Sequence, residues 1–191
     1  MPNFRRSYLP GGTFFFTVNT RNRHPLFRSE MARNLLHEAI ETTRAARPFR
    51  INAMVLLPDH LHCIWTLELT DADYSTRWRK IKECFTRSWL ESGGAEQTVS
   101  VGKSFKGERG IWQSRFWEHT IRDENDLNAH LDYIHYNPVK HGHAQCPHAW
   151  SWSSFMKCVR EGWYAADWGC ACDGRNGGMP HLDALDGKVG E

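Results

Sequence analysis

After the turn signal Pro10-Gly11-Gly12, residues 13–19 (TFFFTVN) form an aromatic and β-branched run that predicts a strand. Residues 30–46 carry Met31, Leu35, Leu36, Ala39 and Ile40 at helical spacing and close on Arg47-Pro48, which predicts a helix. Two short apolar runs, 51–57 and 61–67, flank Pro58-Asp59-His60 and predict a hairpin. In residues 71–92, Tyr74, Trp78, Ile81, Phe85 and Trp89 recur at the spacing of one helical face. Asp71 or Asp73 can cap that helix, and Gly93-Gly94 ends it. Residues 111–122 read as extended. Asp123 or Asn125 then caps a last helix with Leu127, Leu131 and Ile134 as its core face, ending near Asn137-Pro138. The order is strand, helix, strand, strand, helix, strand, helix. Its first six elements are the split β-α-β pattern of a ferredoxin-like α/β sandwich with an antiparallel sheet, and the seventh is an added C-terminal helix.

A chain of 191 residues is enough for one domain with its own core. The pattern assigns residues 1–168 to that domain. Residues 93–110 hold Gly93, Gly94, Gly102, Gly107 and Gly110 and few bulky side chains, so they read as a loop insertion. Residues 169–191 are acidic and Gly-rich and read as a flexible tail whose removal costs little stability. No apolar run approaches the roughly 18–20 residues that span a bilayer, and residues 1–6 lack a signal-peptide core. The six cysteines form no C-x-x-C pair, which suits a reduced, cytoplasmic setting. Cys170-Ala171-Cys172 with His181 offers a zinc reading, although the spacing departs from the usual knuckles.

The net charge of +2 conceals an asymmetry. Residues 1–90 hold 14 Lys and Arg against 8 Asp and Glu, a net of +6, and 12 of those 14 are Arg. Residues 91–191 hold 10 against 14, a net of −4. Arg offers a planar fork to phosphate and aromatic rings offer faces to bases, the combination that single-stranded nucleic acid requires. The competing account is a Trp-rich core under a solvated Arg face. Arg5, Arg6, Arg21, Arg23 and Arg28 flank the first strand, and Arg77, Arg79, Lys80, Lys82 and Arg87 lie off the apolar stripe of the long helix. These are the candidates for phosphate contact, which positions a strand without reading it. The aromatic segment around Trp150, Trp152, Phe155, Trp163, Tyr164 and Trp168 reads as a cover over sheet or helix, with base stacking as the alternative.

His60-Leu61-His62 opens the second strand of the hairpin. Residues i and i+2 of a strand share a face about 6.5 Å apart, so the two imidazoles can converge on one metal ion while Leu61 enters the core. Taken alone, the pair reads first as surface or capping histidines, and His141-Gly142-His143 repeats the spacing. Tyr133 and Asn137 are four apart and so stack on one helical face, edging the seam between helix and sheet.

Together the segments LPDHLHCIW, FWEHTIRDENDL and LDYIHYNPVKHG, with RRSYLPGGTFFFTVNTRNR near the N-terminus, resemble the REP-associated tyrosine transposases. These belong to the HUH single-tyrosine nucleases, relatives of the small insertion-sequence transposases. The resemblance runs from about residue 5 to 168, interrupted at 93–110. It implies that His60 and His62 are metal ligands, that Tyr133 is the nucleophile, and that Asn137 stands where relatives use a polar third ligand. Tyr136 competes for the nucleophile's role, but it lies about 300° around the helix from Tyr133. The implied cofactor is a divalent ion, Mg²⁺ or Mn²⁺. The implied partner is single-stranded or hairpin DNA of repetitive extragenic palindromes, cleaved through a 5′-phosphotyrosine and rejoined by strand transfer, by a monomer or a homodimer and without a membrane. A hairpin-binding module that does not cleave is the alternative on the same fold.

Overall fold

The computed structural model describes residues 7–172 apart from Lys106, together with Leu182, Leu185, Val189 and Gly190. Strands β1 (Thr13–Asn19), β2 (Phe49–Leu56), β3 (His60–Leu67) and β4 (Trp117–Thr120) form one antiparallel sheet in the order β2-β3-β1-β4. Helices α1 (Glu30–Ala46) and α2 (Tyr74–Glu91) pack together on one face of it. The short α3 (Val101–Phe105) precedes β4, α4 (Glu124–Lys140) lies against β2 and β3, and α5 (Phe155–Arg160) follows. This is the split β-α-β sandwich expected from the element order.

Strand alternation separates two cores. Phe14, Phe16 and Val18 of β1 join Leu61, Cys63 and Trp65 of β3 under α1 and α2, and the predicted stripe from Tyr74 to Trp89 is buried there. Trp65 and Trp78 stack at 4.2 Å between centroids. Phe15, Ala53, Val55 and Ile64 face the other way, toward Leu131, Tyr133 and Ile134 of α4. The histidines of β3 belong to this second face, because they alternate with Leu61 and Cys63. The β1–β3 register sets His62 opposite Thr17 and His60 opposite Asn19.

The caps follow the expected chemistry. Ser29, Asp73 and Asp123 accept from the backbone N–H groups of Ala32, Thr76 and Asp126. Asp71 has a different task, which corrects the reading of Arg77 as an outward phosphate contact. Arg77 is 1% exposed. It donates to Asp71 Oδ2 at 2.7 Å and to the carbonyls of Arg47, Pro48 and Asp73 at 2.8–3.1 Å. The bond from Arg77 holds the Asp71 carboxyl below its usual range. Lying just beside the stripe, Arg77 turns into the α1–β2 corner and satisfies backbone groups there.

Two boundaries also move. The extended segment at 111–122 yields only four residues of strand, and Trp112 makes a single bridge to Thr20. Helix α4 does not stop at Asn137-Pro138 but runs on to Lys140. Proline lacks an N–H and crowds the carbonyl four residues back, yet its own turn can still be closed from beyond. Here the His141 N–H bonds Asn137 O at 3.0 Å, and the His143 and Ala144 N–H groups bond Pro138 O. The extra turn carries Lys140 and His141 to the end of the second core.

The ends of the 93–110 stretch meet, with the Gln97 N–H on Gly110 O at 3.0 Å and Arg109 on Glu96. The aromatic segment is a cover, as expected. Residues 152–154 bond along β2, and the Trp150 indole donates to Leu56 O at 3.0 Å. Phe155 and Tyr164 pack on His135 of α4, and burial pulls His135 down to about 4. Among the described residues, no helix is long and apolar enough to cross a membrane.

Candidate active site

The second core ends in a polar corner. His60, His62 and Tyr133 meet there, and Asn137 lies one helical turn beyond Tyr133; each is 1% exposed or less. The two imidazoles stand 4.8 Å apart between centroids and nearly perpendicular. The Tyr133 ring lies 5.4 Å from that of His62, and the His141 ring lies 5.8 Å from that of His60. Asn137 is one helical turn from Tyr133 and one from His141, so it shares the face of α4 that carries both contacts. Tyr136 points elsewhere, with its ring 6.4 Å from Trp168.

Both imidazoles are oriented by a bond at Nδ1. For His60 the partner is Asp59 at 2.6 Å. Burial would raise the Asp59 carboxyl, but the bond to His60 and the Arg23 guanidinium hold it below its usual value. For His62 the partner is the Thr17 hydroxyl at 2.9 Å. Thr17 spends its single hydroxyl proton on the carbonyl of Val189, so it accepts from the His62 Nδ1–H. In both rings this tautomer leaves the donor lone pair on Nε2, and such outer partners fix ring orientation at metal centres. Two imidazoles and an amide oxygen form a neutral donor set that can hold a divalent ion.

The turn that aims His60 is itself held. Asp59 O accepts from the N–H and the hydroxyl of Thr20. Arg23 donates to Asp59 Oδ2 at 2.8 Å and to Asn19 Oδ1 at 2.9 Å. Asn22 and Arg23 take φ of 50° and 54°, a left-handed conformation that non-glycine residues adopt only when their surroundings enforce it. Arg23, expected as a phosphate contact, thus braces the histidine turn from within.

The other predicted cations divide by position. Arg5 and Arg6 lie outside the described residues. Arg21 is half-buried and Arg28 exposed beside this turn. Arg79, Lys80 and Lys82 are on α2, across the sheet from the histidines. Arg79 and Lys80 pair with Glu83, and Lys82 donates to Gln113 O at 2.9 Å. With Arg87, Arg109, Trp112 and Phe116, Arg79 and Lys82 line a groove of about 770 Å³.

Sequence reasoning missed Lys140. Its Nζ donates to the Tyr133 hydroxyl at 3.2 Å and lies 4.8 Å from the ring centroid. The signal was the spacing of seven, which returns to the same helical face, but it fell beyond the expected stop at Pro138. The expectation of an unpacked tail also fails to describe what is seen. Leu182 and Val189 are buried in the second core, and Gly190 O accepts from Asn19 Nδ2 at 3.2 Å. Gly190 has φ of 76°, and a Cβ there would stand 2.5 Å from Trp117 Cβ, so only glycine fits. Val189 is one hydroxyl away from His62 and shares a cluster with Tyr133. Val189 therefore packs beside the corner that holds His62 and Tyr133. Deleting residues 181–191 is expected to raise the initial rate of nicking several-fold. It should lower the melting temperature by a few degrees, since burying a Val contributes about 1.5 kcal/mol. Rate assays and thermal melts of the truncated chain check both, and an unchanged rate would show that the tail leaves the face unaided.

A paired-histidine strand, faced by a helix-borne tyrosine on a split β-α-β sheet, places the chain among the HUH single-tyrosine proteins. No family model matches it. It is 45% identical over 168 residues to the REP-associated tyrosine transposase of Escherichia coli K12, covering 88% of this chain and 91% of that one. It is 39% identical over 169 residues to the protein assigned to the same family in Haemophilus influenzae, covering 88% and 94%. Its fold matches a solved REP-associated tyrosine transposase bound to a REP hairpin, with a TM-score of 0.74 and 44% identity over 88% of this chain and 91% of that one. The chain belongs to the REP-associated tyrosine transposases.

Proposed function

We propose that this protein binds hairpins of REP type and cuts and rejoins the adjoining single strand, with Tyr133 as nucleophile and His60, His62 and Asn137 as ligands of a divalent metal. The observation that carries the reading is the contact of Tyr133 of α4 with the histidine pair of β3, and Asn137 on the same helical face supports it. Support for the substrate comes from the solved relative, which holds a REP hairpin. A bound Mn²⁺ or Mg²⁺ would polarise the scissile phosphate and offset charge developing on it.

The protein's own groups do the rest. Tyr133 Oη attacks phosphorus and the P–O3′ bond breaks. This leaves a 5′-phosphotyrosine and a 3′-hydroxyl; the phenolic proton passes to solvent and O3′ takes one up. A phenol is a weak nucleophile until charge on its oxygen is stabilised, and the Lys140 ammonium already donates to that oxygen. Asp59 and Thr17 keep the imidazoles aimed. The bond energy is stored in the phosphotyrosine, so attack by another 3′-hydroxyl reverses the step and joins strands. Arg21, Arg28 and the cations of α2 supply phosphate contacts, and Arg5 and Arg6 belong to the same set by sequence. Binding therefore weakens as salt rises.

The test is to incubate the full chain with labelled single strands carrying a palindromic stem, in Mn²⁺ or Mg²⁺. One discrete cut, with a protein–DNA adduct that survives denaturation, is expected. A chelator should stop cutting while gel-shift binding persists. Binding without any cut in either metal would leave a non-cleaving hairpin binder instead.

A further inference from the structure

A second cluster of metal-binding side chains lies well away from the tyrosine in sequence, where the chain leaves α4 and where it reaches the end of the aromatic cover. Cys146 and His148 come from the first segment, and Cys170 and Cys172 from the second, with 21 residues between His148 and Cys170. His181, the histidine that the sequence pairs with Cys170 and Cys172, lies outside the described residues. Ligand atoms of Cys146, His148 and Cys170 all lie within 4.8 Å of one another. Cys146 Sγ is 3.3 Å from Cys172 Sγ, and Cys170 Sγ is 3.6 Å from His148 Nδ1. The Ala171 N–H donates to Gln145 O at 2.9 Å, which clamps the two segments side by side.

These distances separate the chemical alternatives. A disulfide needs sulfurs about 2.05 Å apart, and none of the six cysteines is in one. A tetrahedral ion with Zn–S near 2.3 Å and Zn–N near 2.05 Å sets its S···N edge at about 3.6 Å and its S···S edge at about 3.8 Å. The Cys170–His148 edge falls at the first value, and the Cys146–Cys172 contact at 3.3 Å is shorter than the second, which places Cys172 as a fourth donor beside the group of three. Three thiolates and an imidazole are soft donors, which select zinc over Mg²⁺ or Mn²⁺.

We propose that Cys146, His148, Cys170 and Cys172 bind one zinc ion at a closed, structural site that ties the loop after α4 to the end of the aromatic cover. Binding releases the thiol protons to solvent and involves no change of oxidation state. The site does not depend on the nuclease reading, since none of the four residues belongs to that corner.

The experiment measures metal in the full chain, purified under reducing conditions without chelator. One zinc per chain, retained through dialysis, is expected. The Cys146→Ser/Cys170→Ser double variant should lose it, and the His60→Ala/His62→Ala variant should keep it. Cobalt exchange in the wild-type chain needs no variant and reads the ligands directly: intense visible bands of tetrahedral cobalt with a near-ultraviolet thiolate transition are expected. Trace zinc, zinc kept by the cysteine double variant, an octahedral cobalt spectrum, or a Cys146–Cys172 disulfide in the intact mass would each overturn the proposal.

Discussion

Tyr133→Phe should abolish both strand nicking and the covalent protein–DNA adduct, a loss on the order of a thousand-fold or more, as expected when a nucleophile is removed. The fold should tolerate the change. The Tyr133 ring packs edge-on against Phe15 at 6.2 Å and His62 at 5.4 Å, and phenylalanine keeps both contacts. Only the hydroxyl goes, and with it one acceptor of the Lys140 ammonium. Hairpin affinity should barely change, because it rests on phosphate contacts spread over other residues. Tyr136→Phe is the control: its ring lies against Trp168, away from the histidines, so most activity should remain. Peptide mapping of a trapped adduct decides between them. A nucleotide on Tyr136, or nicking that survives Tyr133→Phe, would mean that α4 presents a different face to DNA during the reaction.

The face of each strand and of the long helix was legible because burial there follows a simple period. Phe14 and Phe16 alternate with Phe15, His60 and His62 alternate with Leu61, and the stripe from Tyr74 to Trp89 is buried throughout. The chemistry of the corner was legible only in part. His60, His62, Tyr133 and Asn137 became candidates through the family resemblance of the segments that hold them, while spacing only set each pair on one face of a strand or helix. Thr17, Asp59 and Arg23 do not, since they reach the site through register and turn geometry that no local pattern encodes. Arg77 was misplaced for a related reason. Periodicity marks where apolar side chains go, and a guanidinium that finds four acceptors at a corner is buried by hydrogen bonding instead. Lys140 and His141 were hidden behind a proline that does not end its helix. The thiol cluster was legible only at Cys170 and Cys172, because Cys146 and His148 join it when two separate segments are laid side by side.

Replacing both His60 and His62 by Ala should reduce nicking to background while hairpin binding stays nearly intact. The two rings are 4.8 Å apart, and their Nδ1 atoms are engaged by Asp59 and Thr17, so each presents Nε2 on the side away from that partner. Each single variant would leave one imidazole and one amide oxygen, a set that holds a divalent ion more weakly but in the same place. Single variants should therefore recover part of their rate as Mn²⁺ is raised, and the double variant should not. That difference separates loss of a ligand from loss of structure, because a misfolded chain gains nothing from added metal. Asp59→Asn belongs between these extremes. It keeps an acceptor for the His60 Nδ1–H but removes the charge that Arg23 and His60 share, so its rate should fall less than that of His60→Ala. Nicking rates over a Mn²⁺ titration, with gel-shift affinity measured in parallel, distinguish these cases. Full activity in the double variant would remove the metal from the reaction. Loss of binding along with cutting would instead make the histidines part of the DNA-holding surface.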